Sequence, residues 1–180
     1  MVPSNQFSRA PSKIISVAAR KLVWLFITAL VALSGASMPA QAAKYSAIVI
    51  EEDSGRVLFS RNADSLRYPA SLTKIMTLYL LFEDIAAGHL TLKSHITVSK
   101  VAAGRSPSKL YLKPGQSINA EQAIRALVTK SANDVATAVA EKLGGSERAF
   151  AKRMTRKARA LGMSRTTFRN ASGLPHSKQR

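Results

Sequence analysis

Ser71 and Lys74 stand three residues apart in "YPASLTKIMTLYLLFE", residues 68–83. A serine hydroxyl is a weak nucleophile until a base stands beside it. A lysine is a base only when neutral, a form favoured by burial and by the positive end of a helix dipole. In the first turn of a helix, positions i and i+3 share a face, so the two side chains can meet. The same residues also read as a helix N-cap and an ordinary first-turn lysine, although a lysine there opposes the dipole. The pattern alone is weak, because it recurs at Ser106 and Lys109. There Pro107 follows the serine and the segment reads as loop and strand, where residues three apart point to opposite faces.

A second candidate pair is Ser131 and Asn133 in "KSANDVATAVAE". Ser-x-Asn also occurs at Ser60/Asn62 and Ser117/Asn119, but only the third example lies between two apolar helices. A serine at such a junction could relay a proton from Lys74 to a leaving amine. An asparagine could hold a substrate amide through its paired donor and acceptor. Taken alone, Asn133 is more simply a helix N-cap. Metal chemistry has little support: His89, His95 and His176 have neither i, i+4 spacing nor a clustered carboxylate. The absence of cysteine excludes cysteine catalysis and thiolate metal sites. There is neither a G-x-S-x-G elbow nor a glycine-rich phosphate loop.

These residues need elements to position them. The segment 71–87 predicts a helix closed by Gly88, apolar on nearly every side and therefore buried through the middle of the domain. Residues 45–60 predict a hairpin turning at "EDSG", with Glu51, Glu52 and Asp53 left as solvated turn residues. "HITVS" and "SKLYL" predict short strands and "KPGQS" a turn. Asn119 caps a helix running to about Lys130, with Gln122 placed for a capping box. A further helix spans 134–143 and ends at a Gly pair. The last helix opens at Ser146 and Glu147, with an apolar stripe of Phe150, Met154, Ala158 and Leu161. Its opposite face is basic and reads as solvated, or as a patch for an anionic wall or lipid surface. Residues 164–180 read as a strand, a turn and a stub.

The first 42 residues read as a secretory signal. Arg9, Lys13, Arg20 and Lys21 precede the apolar run "LVWLFITALVAL", and Ala40 and Ala42 have A-x-A spacing. Twelve apolar residues span roughly 18 Å, too little for a bilayer core of roughly 30 Å. The expected location is outside the cytoplasm, in the periplasm or cell envelope. The whole chain carries a formal charge of +17. In a cytoplasmic protein that would suggest nucleic acid. Export excludes that partner and favours anionic lipid headgroups or an acidic wall polymer.

Together, "YPASLTKIMT", "LVTKSANDVATAVAE" and the 150–175 stretch ending "LGMSRTTFRNASGLP" resemble the serine-type D-alanyl-D-alanine carboxypeptidases, the low-molecular-mass penicillin-binding proteins. The resemblance covers 45–175, and its last stretch is typical of this family rather than of class A β-lactamases. It implies an α+β fold of the β-lactamase/penicillin-binding-protein transpeptidase type, with helices packed on an antiparallel sheet. It makes Ser71 the acylated nucleophile, Lys74 its general base, Ser131 the proton relay and Asn133 the residue that orients the substrate peptide. The backbone N–H of Ser71 would be one oxyanion donor. The implied reaction removes the terminal D-alanine of a peptidoglycan stem peptide through an acyl-enzyme, with no cofactor, and β-lactams would be trapped covalently.

The family's third box is not found, because no lysine is followed by Thr-Gly or Ser-Gly and His-Thr-Gly is absent. In the family that box lies on an edge strand of the sheet and binds the substrate carboxylate. The expectation is therefore that 43–180 is the N-terminal part of a catalytic domain. Its C-terminal sheet strands would be missing, its apolar edge exposed and its turnover reduced. An inactive peptidoglycan-binding remnant and a β-lactamase-like hydrolase are the other readings.

Overall fold

The computed structural model describes residues 45–180, so the expected signal at 1–42 lies outside the described residues. Strand β1 (Ala47–Ile50) pairs antiparallel with β2 (Val57–Arg61), Ala47 opposite Arg61 and Val49 opposite Phe59. The register then shifts, so that Ile50 faces Val57. The turn between them is tied by Glu51, whose carboxylate accepts from Ser54 Oγ and, at 3.1 Å, from Arg56 Nη2. The expected turn is thus formed, with Glu51 spent on holding it.

A 3-10 turn, Ala70–Leu72, precedes helix α1 (Thr73–Ala86). The predicted helix start at Ser71 falls inside that tighter turn, because the Leu72 N–H closes on Pro69 O at 3.1 Å. Strand β3 (His95–Thr97) leads to the one-turn helix α2 (Lys100–Ala103) and pairs with β4 (Ser117–Asn119), Ile96 facing Ile118. Helix α3 (Ala120–Thr129) begins with the predicted capping box: Gln122 N–H donates to Asn119 Oδ1 at 2.8 Å, and Asn119 N–H to Gln122 Oε1 at 3.0 Å. Helices α4 (Asn133–Gly144) and α5 (Glu147–Ala160) follow, the latter capped by Ser146.

The central helix is α4, not α1. All of Asn133 through Ala140 are buried, and α4 meets α1, α2, α3, α5 and β3. Its Ala, Val and Thr side chains are small enough to let neighbours approach on every side. Helix α1 buries Met76, Leu80 and Leu81, but Ile75 remains 64% exposed and Phe82 49%. An all-round apolar helix was expected to be enclosed; only one face of this one is.

Two predicted strands are absent. Residues 108–112 run without strand pairing, since the N–H groups of Leu110 and Leu112 donate to the Asp134 carboxylate instead of a ladder. Residues 164–180 hold no strand either. Side chains secure their backbone: Gln179 Oε1 accepts from Arg169 and Asn170 N–H, and Asn170 Oδ1 from Gly173 N–H. The basic face of α5 is only partly solvated. Arg153 grips Asp84 of α1 with two bonds of 2.7 and 2.6 Å, holding that carboxyl below its usual range, and Lys157 pairs with Glu83. No helix among the described residues is long and apolar enough to cross a membrane.

Candidate active site

Ser71 sits in a 3-10 turn entered through Ala70, whose φ of +47 is rare for a residue with a side chain. Ser71 lies in that turn and Lys74 in the first turn of α1, three residues on, so the two side chains share a face. The Ser71 hydroxyl does not cap α1: the N-cap position is Leu72, and it makes no side-chain capping bond. Ser71 is exposed, and its Oγ accepts from Lys74 Nζ at 3.5 Å.

Lys74 is 3% exposed. Its main partner is a carbonyl, Ser172 O, at 2.6 Å. Burial pushes its pKa down to about 8. No carboxylate is among its hydrogen-bond partners in the described residues, and the cost of burial outweighs what the carbonyl returns to the charged form. An exposed hydroxyl beside a buried, readily neutral amine is the arrangement that general-base activation requires.

The carbonyl that holds Lys74 comes from a tightly fitted segment. Thr77 Oγ1 of α1 donates to Ala171 O at 2.7 Å, and Asn170 Nδ2 closes the segment on Leu174 O at 2.8 Å. Gly173 has φ +86, and a Cβ there would lie 1.7 Å from Ala70 O. The turn carrying Ser71 and the segment carrying Ser172 therefore touch backbone to backbone, and only glycine permits it. Ser172, Thr77 and Gly173 were missed as individual site residues, although "NASGLP" was singled out as a stretch. A backbone carbonyl leaves no side-chain signature.

Ser131 and Asn133 occupy the junction between α3 and α4. Ser131 has φ +54 and makes no hydrogen bond to Lys74 among the described residues. Asn133 is the first residue of α4 rather than its N-cap. Its N–H donates to Ser108 O at 2.7 Å and its Nδ2 to Ser106 O at 3.0 Å. The structure thus joins Ser71 to Lys74 but does not bond Ser131 or Asn133 to either. The rival pair separates: Ser106 belongs to the segment Asn133 holds, while Lys109 Nζ turns to Ala103 O at 3.0 Å. A groove of roughly 1030 Å³ between the hairpin and α1 is lined by Ile48, Leu66, Leu72, Ile75 and Phe168, but not by Ser71 or Lys74.

The family profile for D-alanyl-D-alanine carboxypeptidase, peptidase S11, matches residues 33–180. The chain is 37% identical over 129 residues to D-alanyl-D-alanine carboxypeptidase DacF of Bacillus subtilis, covering 72% of this chain and 33% of that protein. The crystal structure of the D-alanyl-D-alanine carboxypeptidase DacD from Francisella tularensis superposes with a TM-score of 0.72 at 36% identity, covering 74% of this chain and 32% of that one. Penicillin-binding protein D2 from Listeria monocytogenes in its ampicillin-bound form superposes at 0.65 and 32% identity, covering 74% and 54%. The chain spans about a third of the length of the curated relatives it matches.

Proposed function

The chain belongs to the D-alanyl-D-alanine carboxypeptidase family, peptidase S11, and we propose that it carries the acylating half of such an enzyme's site. The observation that carries this reading is the exposed Ser71 hydroxyl beside a buried Lys74 whose pKa has fallen to about 8. At pH 7 about a tenth of such lysines are neutral, against fewer than about one in a thousand ordinary ones. Neutral Lys74 takes the Ser71 proton as Oγ attacks the carbonyl of the terminal D-Ala–D-Ala bond. The Ser71 N–H faces the developing oxyanion, and the positive end of α1 favours it. The C–N bond breaks, D-alanine leaves as the amine with a proton relayed through Ser131, and water hydrolyses the Ser71 ester.

Asn133 is the substrate-orienting residue of this scheme. One Nδ2 hydrogen is spent on Ser106 O, and its Oδ1 takes no hydrogen bond among the described residues. That oxygen suits a substrate N–H. The substrate is a peptidoglycan stem peptide, the location is the periplasm or envelope, and β-lactams acylate the same serine. The Listeria relative's ampicillin-bound structure supports that last point. No lysine of this sequence supplies the Lys-Thr-Gly group for the substrate carboxylate. Acylation of Ser71 by a D-Ala–D-Ala peptide, the step that releases D-alanine, is therefore expected to be slow in the 180-residue polypeptide.

Intact-mass measurement after incubation with benzylpenicillin tests the reading. One adduct, located on Ser71 and absent from Ser71→Ala, is the expected result. An unmodified chain, or an adduct that survives in Ser71→Ala, overturns it.

A further inference from the structure

We propose that Glu147 is a positioning residue for Lys74, acting through the backbone of residues 171 and 172. The inference rests on the reading of Ser71 and Lys74 as nucleophile and base. Glu147 Oε1 accepts the Ala171 N–H at 3.2 Å. Ala171 O accepts from Thr77 Oγ1 at 2.7 Å. The next carbonyl along the chain, Ser172 O, is the one that holds Lys74 Nζ at 2.6 Å. Peptide units are planar, so each residue has two soft dihedrals. Pinning both polar groups of Ala171 fixes the peptide plane from which Ser172 starts, and Gly173 N–H, in the same planar unit as Ser172 O, is held by Asn170 Oδ1 at 2.7 Å. Glu147 and Thr77 hold the chain before Ser172 and Asn170 holds it after, and the lysine's acceptor stands between them.

The same carboxylate reaches the opposite side of the site. Its Oε2 pairs with Arg105 Nη2, at the start of the segment whose Ser106 and Ser108 carbonyls receive Asn133. Thr137 Oγ1 of α4 donates to Oε1 at 3.2 Å. A glutamate in the first turn of a helix is ordinarily explained by the helix dipole. A solvated carboxylate would serve that purpose. This one keeps 13% of its side-chain surface and takes bonds from three segments outside its own helix. Among the described residues, the only charged group paired with it is Arg105, and no charged side chain hydrogen-bonds to Lys74. Glu147 therefore reaches Lys74 through position rather than through a direct charge contact.

The test titrates the Lys74 amine itself. The full chain is labelled at the lysine ε-carbons, Lys74 is assigned with Lys74→Arg, and its NMR midpoint is followed with pH. Glu147→Gln keeps an oxygen to accept the Ala171 N–H, and its midpoint is expected to match the wild type. Glu147→Ala frees Ala171, and the ammonium loses a fixed acceptor that favours its charged form. Its midpoint is expected to fall by about half a unit or more. A folded Glu147→Ala protein with the wild-type midpoint overturns the proposal, as does a Gln variant shifted as far as the Ala variant. If Glu147→Ala does not fold, Glu147→Asp keeps the charge and withdraws the oxygen by one methylene. The same fall is expected there, and an unchanged midpoint overturns the proposal. A purely structural role would lower the melting temperature and leave the midpoint alone. Benzylpenicillin adducts measured on the same samples are independent of the titration. A wild type that forms no adduct tells against Ser71 as nucleophile, not against the coupling of Glu147 to Lys74.

Discussion

In the proposed scheme Lys74 is the base, and burial is what fits it for that role. It is buried beside a carbonyl and a hydroxyl, and its pKa of about 8 lies below the roughly 10.4 of an exposed lysine. Between those values the unfolded chain holds more protons than the folded one, so stability rises with pH across that window. Below pH 8 both states are protonated, and the full cost of burying the charge is present. The melting temperature of the wild type should therefore climb between pH 8 and about 10.4 relative to Lys74→Met, which lacks the titrating group. Parallel profiles for the two proteins would mean that Lys74 is not perturbed. In the proposed scheme the same midpoint would govern reaction with β-lactam. The acylation rate, followed by intact mass, should rise about tenfold per pH unit below 8 and level off above it. A rate indifferent to pH from 6 to 9 would remove Lys74 from the role of base.

At the scale of elements, the site is a contact between two segments distant in sequence. Gly173 lies against Ala70, and a methyl group would collide with a backbone oxygen that cannot step aside alone. Gly173→Ala is expected to cut the acylation rate by about a hundredfold, because a displacement near 1 Å at reacting groups is that costly. Unchanged acylation by this variant would show that the segment does not hold Lys74 in place. Asn119→Ala offers a contrast away from the site. It removes one half of the capping box of α3 and should cost about 1 kcal/mol in denaturant unfolding with acylation intact. The elements differ in how legible they were. The capping box, the 51–56 turn and the start of α5 were readable because each rests on local bonds between neighbours in sequence. Ser71 and Lys74 were readable for the same reason. The unpaired run at 108–112 was not, because Asp134, 22 to 24 residues away, takes the N–H groups that suggested a strand. Nor was the central place of α4 readable: hydrophobicity favours large side chains, whereas a helix crowded on every side needs small ones. The Glu147 link is longer still in sequence, and its last members are backbone atoms.

Across the whole molecule, apolar surface is unevenly covered. The helical core around α4 encloses Phe150, Met154, Val135 and Leu80 completely. The hairpin does not share in it: Ile48, Val49, Ile50, Val57, Leu58 and Phe59 are each about half exposed. Alternate residues of a strand face opposite sides, so a hairpin apolar at consecutive positions is suited to cover on both faces. It pairs with no third strand among the described residues, which leaves ladder groups open at its edges. Ile75 of α1 and the hairpin's Ile48 line the same groove, so the uncovered surface is continuous across the two elements. Surface of this kind drives association. The 180-residue polypeptide is expected to self-associate as its concentration rises in analytical ultracentrifugation, and to bind a hydrophobic dye while folded. Replacing Ile75 by Lys and Phe59 by Thr should weaken both signals. Neither side chain is enclosed, so the melting temperature should stay close to that of the wild type. A wild type that remains monomeric and dye-silent at the highest concentration reached would show this face to be tolerated by water as it stands. A double variant that unfolds would show instead that the hairpin and α1 already support one another across the groove.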